Sequence, residues 1–198
     1  SPFWTRSRHA DRAPFLRARA AIVRALRDWF HDQGFTEVEP KALALSPGAE
    51  MHVDAFETRE KNGDLRYLHT SPEFAMKKLL AAGEEKIFFL GKSWRRGEVG
   101  PLHAEEFTML EWYRAQEPYE QVMEDCVALA RVAARAANAA SLRWRERNSD
   151  PFAEAERLSV RDAFARFTFS LAEKVAAERP NEGRTDTQAP AHLHAPHP

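Results

Sequence analysis

Two stretches of strand length, Lys86 to about Arg95 and Glu106 to about Tyr113, flank a polar loop that holds Gly97, Gly100 and Pro101. This pair constrains the fold most, because two such runs joined by a polar loop read as a pair of strands. Side chains on a strand alternate between faces. Phe107, Met109, Glu111 and Tyr113 therefore share one face of the second run, and Glu106, Thr108, Leu110 and Trp112 the other. The first face combines aromatic rings with a carboxylate. A carboxylate on a half-buried strand calls for a cationic or hydrogen-bonding partner. Arg95, at the end of the first run, offers a planar fork suited to phosphate or carboxylate.

The surrounding segments complete a mixed α+β domain. From 12 to 34, the apolar residues Phe15, Leu16, Ala18, Ile22, Val23, Leu26, Trp29 and Phe30 recur by threes and fours, which predicts an amphipathic helix burying that stripe. Asp11 is placed to cap it and Gly34 to end it. A short strand follows in FTEVEP, closed by Pro40. Runs at 52–58 and 65–69 flank Asn62-Gly63, a hairpin signal. Thr70-Ser71-Pro72-Glu73 opens a helix that Gly83 ends, and an Ala-rich helix is expected over 118–140. The domain limits so read are 1–140 for the main body, 141–179 for a charged, irregular and then helical segment, and 180–198 for a disordered tail poor in large apolar residues. His192, His194 and His197 in that tail have no supporting ligand nearby in sequence, and no metal site is expected.

Charge excludes a broad nucleic-acid-binding field. Lys and Arg number 29 against 30 Asp and Glu, a formal charge of −1, so any RNA contact must be local. The single Cys126 can form no internal disulfide, and no apolar run reaches the roughly 20 residues of a membrane span. A cytoplasmic location is the simplest expectation. Neither GxxxxGK[ST] nor GxGxxG is present, so a nucleotide site of the common α/β kinds is not expected.

KSWRRGEVGPLHAEEFTMLEWY, residues 92–113, resembles motif 2 of class II aminoacyl-tRNA synthetases, and EFTMLEWY is close to the lysyl branch. The long helix with GFTEVEP resembles motif 1, SPGAEMHVDAF the amino-acid-binding loop, and HTSPEFAMKKLL the helix after it. Within that branch the sequence is most similar to the compact paralogues of lysyl-tRNA synthetase that attach β-lysine to a lysine of elongation factor P. The resemblance implies an antiparallel sheet flanked by helices, ATP and Mg²⁺ as cofactors, lysine or β-lysine as substrate, elongation factor P as acceptor with tRNA second, and a homodimer formed through motif 1.

It also implies roles. Arg95 grips the α-phosphate and the amino-acid carboxylate and is the catalytic residue; His103 meets the outer phosphates, and Phe107 stacks on adenine. Gly48, Glu73, Glu111 and Tyr113 line the substrate pocket, Tyr113 reaching towards the side-chain amine of lysine. Relatives carry a glutamate two residues after the motif 2 arginine to meet the adenine amino group; here that position is Gly97, and the acid is Glu98. They also read Asn-Pro where this chain has Ala104-Glu105. Motif 3, with its arginine for the γ-phosphate, and the downstream acids that hold Mg²⁺ are not found. The catalytic domain is therefore expected to be incomplete at its C-terminus and this chain to be inactive alone. A catalytic fragment of a lysyl-tRNA synthetase and an inactive truncated paralogue are the alternatives.

Overall fold

The computed structural model describes residues 4–48 and 50–167. The chain divides after Ala153 into two units. The first opens with helix α1 (Arg6–Asp32), which starts six residues before the apolar stripe suggests. Thr5, not Asp11, holds the cap position in extended conformation, and its carbonyl accepts the first helical bond, from His9 N–H at 2.8 Å. Arg and Ala are strong helix formers and carry the helix upstream, and periodicity alone cannot see that. The other end is as expected. Gly34 adopts φ +78° and Phe35 N–H returns to Phe30 O at 3.0 Å, a left-handed helix stop.

Strand β1 (Thr36–Glu37) follows, then β2 (Leu43–Ala44), β3 (Glu57–Arg59) and β4 (Leu65–Leu68). These last three form a small antiparallel sheet in the order β2-β4-β3, with Gly63 at φ +88° in the β3–β4 turn. Helix α2 (Glu73–Ala81) has Pro72 at its cap position, and Ser71 Oγ rather than Thr70 accepts Glu73 N–H at 3.1 Å. Thr70 Oγ1 instead donates to Pro47 O at 2.9 Å. The main sheet has the order β1-β5-β6, with β5 (Lys86–Trp94) and β6 (Glu106–Arg114) antiparallel along their whole length. β1 pairs with β5 in parallel, so the main sheet is mixed rather than purely antiparallel. The chain reaches β1 from α1 and β5 from α2, and this helix between the two strands lets them run the same way.

Consecutive residues of β5 serve two cores. Phe88 and Leu90 pack with Phe30, Phe35 and Leu129 beneath α1 and helix α3 (Tyr119–Ala136), while Ile87 and Phe89 pack with Met76 on the side of α2. Phe30 stacks on Phe88 with ring centroids 4.5 Å apart. Burying aromatic side chains of this size supplies roughly 2–3 kcal/mol each. The N-terminal half of α1 differs from expectation: Phe15 is 77% and Leu16 46% exposed. Their apolar stripe runs on with Ile22, Val23 and Leu26 into an open groove against Leu90 and Leu110.

One ion pair ties the end of β6 to α3. Arg114 donates to both carboxylate oxygens of Asp125, at 2.7 and 3.0 Å, and Trp112 Nε1–H adds a bond of 3.1 Å. The Arg114 guanidinium lies over the Phe35 ring, 4.6 Å from its centroid. After α3 the segment expected to be irregular forms a hairpin, β7 (Leu142–Trp144) and β8 (Arg147–Ser149), turned by Arg145 at φ +53°. In the second unit residues 160–167 are helical, and Ser159 and Asp162 cap each other, Ser159 Oγ donating at 2.6 Å and accepting Asp162 N–H at 3.1 Å. The rest of the helical part expected of the 141–179 segment, the tail from 180 and its three histidines lie outside the described residues.

Candidate functional site

The odd-numbered face of β6 looks onto the loop between β5 and β6 at one end and onto α2 at the other. Near the loop, Arg95, Glu98, Val99, His103 and Phe107 line an open cleft of about 500 Å³. The Arg95 guanidinium lies over the Phe107 ring, 5.4 Å from its centroid. Its Nε–H points to Thr70 O at 3.4 Å and its Nη1 lies 3.7 Å from Glu98 Oε1. An arginine beside an aromatic plate can hold a phosphate while the ring takes a base. His103 sits in the loop, its backbone exchanging hydrogen bonds with Gly100 at 3.2 and 3.3 Å. Four of the residues singled out from the sequence, Arg95, Glu98, His103 and Phe107, are thus brought together.

Farther along the same face, Glu111 accepts from Tyr113 Oη at 2.7 Å on one carboxylate oxygen and from Ser71 Oγ at 2.7 Å on the other. Tyr113 is held well above the ordinary phenol pKa by burial first and by its bond to Glu111 second. It remains a neutral donor under any physiological condition. Glu73, in the first turn of α2, pairs with Lys77 at 2.6 Å and adds to the negative field at Tyr113. Carboxylates beside a phenol are chemically suited to meet a cation.

Gly48 lies beside Thr70. A Cβ at that position would approach Thr70 Oγ1 to 3.4 Å, and its φ of +149° favours glycine. Because Thr70 also meets Pro47 and Arg95, the Gly48 turn is fastened to the arginine. Sequence reasoning missed two members of this arrangement. In sequence Ser71 stands within a helix-start signal, yet its hydroxyl joins the α2 N-terminus to Glu111. In sequence Glu105 is only a departure from the motif, yet its carboxylate accepts Gly97 N–H at 2.7 Å. Among the described residues no group of three or more His, Cys, Asp or Glu is placed to hold a metal ion, and no helix is long and apolar enough to cross a membrane.

Comparison with known proteins gives concordant findings. The model for "tRNA synthetases class II (D, K and N)" matches residues 3–192. A Vibrio cholerae protein named elongation factor P--(R)-β-lysine ligase is 37% identical over 136 residues, covering 66% of this chain and 42% of that protein. Proteins of the same name from Yersinia pestis and Yersinia pseudotuberculosis are 36% identical over 165 residues, covering 78% of this chain and 50% of theirs. The chain spans about half the length of the curated relatives it matches.

Proposed function

Because the chain belongs to the class II tRNA synthetases of the D, K and N group, we propose that it forms the nucleotide- and amino-acid-binding part of a ligase that activates lysine or β-lysine with ATP and transfers it to a lysine of elongation factor P. The observation that carries this reading is the single face of β6 on which Phe107 meets Arg95 and, two turns of alternation later, Glu111 meets Tyr113. A base and α-phosphate suit the first pair, and an ammonium suits the second.

In the proposed reaction the substrate carboxylate attacks the α-phosphorus of ATP and the bond to pyrophosphate breaks. The acceptor amine then attacks the acyl carbon, and AMP leaves. Arg95 neutralises charge that grows on the α-phosphoryl oxygens, which preorganised donors do at no reorganisation cost. Glu98 and His103 would meet the base and the outer phosphates; Gly48, Glu73, Glu111 and Tyr113 would hold the amino acid. Magnesium would supply charge neutralisation on the phosphates. The described residues form no cluster of ligands for it, so none of them is given that task.

The names of the relatives at 36–37% identity favour a protein acceptor over tRNA. The uncovered stripe of α1 with Leu90 and Leu110 supports a homodimer through the motif 1 helix, and a cytoplasmic setting follows from the proposed partner. The test is ATP–pyrophosphate exchange by a chimera in which residues 1–167 replace the matching segment of the Vibrio cholerae relative. Exchange should depend on lysine or β-lysine. Exchange driven instead by an acidic or an apolar amino acid would overturn the assignment.

A further inference from the structure

The loop from Arg95 to Glu105 is long and polar, and a single residue closes it from both sides. The Glu105 carbonyl accepts Arg95 N–H at 2.8 Å, and the Glu105 carboxylate accepts Gly97 N–H at 2.7 Å. Gly97 has φ +81°, while a Cβ there would meet nothing within 4 Å. Glycine is therefore required by the turned-over backbone and not by lack of space. The next residue, Glu98, lines the cleft beside Phe107 with its carboxylate facing Arg95. Across the remainder of the loop, Val99 N–H bonds Gly97 O at 2.9 Å and Gly100 pairs with His103. The Glu105 carboxylate on Gly97 N–H thus holds the peptide that precedes Glu98, whose own N–H bonds Arg95 O at 3.4 Å. The two positions it joins, 97 and 105, are both places where this chain departs from the usual letters of the motif.

We propose that Glu105 is a positioning residue that holds Glu98 at the mouth of the cleft, where, once a phosphate has displaced it from Arg95, the Glu98 carboxylate accepts a hydrogen bond from the exocyclic amino group of adenine. The proposal rests on the nucleotide reading above. It makes base selectivity a consequence of loop geometry. Adenine presents a donor at that edge and guanine a carbonyl oxygen, so a fixed carboxylate attracts one and repels the other. A bond to a charged acceptor is worth about tenfold or more in affinity.

The 198-residue chain is titrated with AMP and with GMP while amide shifts and amide exchange are followed by NMR. The chain should prefer AMP by about tenfold. Glu98→Gln should weaken that preference. Glu105→Ala should reduce it to about twofold or less and speed exchange of the Gly97 amide. Glu105→Gln, whose side-chain carbonyl still accepts Gly97 N–H, should retain both the preference and the slow exchange. A Glu105→Ala variant with an undiminished preference overturns the proposal, as does a Glu105→Gln variant that loses it as fully as the alanine. If AMP shifts no amide of the cleft in the unaltered chain, the nucleotide reading itself fails and this inference falls with it. AMP binding whose preference ignores Glu105 removes the inference alone.

Discussion

Replacing Asp125 by alanine should destabilise the domain by about 4 kcal/mol. Both partners of the ion pair are out of water, with side-chain exposures of 4% for Arg114 and 2% for Asp125. Removing one member of such a pair costs roughly 3–5 kcal/mol because the other is left charged and buried. Here Arg114 keeps a contact to Glu117 at 3.2 Å, which argues for the low end, about 3 kcal/mol. The Trp112 indole N–H also loses its acceptor, adding about 1 kcal/mol. With a urea dependence of about 2 kcal/mol per molar, the midpoint should fall by about 2 M. Pairing Arg114→Met with Asp125→Leu should recover most of the loss, since neither then leaves a buried charge. A midpoint shift under about 0.5 M for Asp125→Ala, at unchanged slope, would refute the reasoning.

Three further outcomes are expected. Arg95→Ala in the chimera should lower lysine-dependent pyrophosphate exchange roughly 100-fold or more while the circular dichroism stays the same; near-normal exchange would make Arg95 a bystander. Because the Tyr113 phenol is raised in the folded state, it contributes stability that is full below the ordinary tyrosine pKa of about 10 and is lost as pH rises beyond it. Tyr113→Phe should flatten that alkaline loss in denaturation curves measured from neutral to alkaline pH. Ile22→Asp, in the groove of α1, should shift a dimer to monomer in sedimentation experiments without lowering the melting temperature by more than a few degrees, and an unchanged mass would place the interface elsewhere.

The parts of this fold legible in sequence were those with a strong local period. The alternation of β6 predicts its two faces, and the structure carries Phe107, Glu111 and Tyr113 on one side and Leu110 and Trp112 on the other. Asp125 is not legible in sequence because a lone acid in an Ala-rich helix reads as solvated, and its partner Arg114 belongs to another element. A signal was present: Asp125 stands one helical turn from Leu129, on the stripe that α3 buries. The β7–β8 hairpin was hidden because Arg145 occupies a left-handed position that turn rules assign to Gly or Asn. The exposure of Phe15 and Leu16 was beyond any periodicity argument, since a stripe says which face is apolar and not what covers it. Ser71 and Glu105 act through contacts between elements, and no spacing rule encodes them.

The two cores served by β5 give residue parity on β6 an experimental meaning. Even-numbered side chains, Thr108 and Leu110, border the α1 groove, while Phe107 and Glu111 belong to the cleft side. One backbone thickness separates whatever occupies the groove from whatever occupies the cleft. A slip of one residue against β5 would exchange the two sets wholesale. Substitutions designed to probe association on even positions therefore need a nucleotide titration as their control, and those on odd positions need a mass measurement, because each perturbs a strand that the opposite side also uses as its wall.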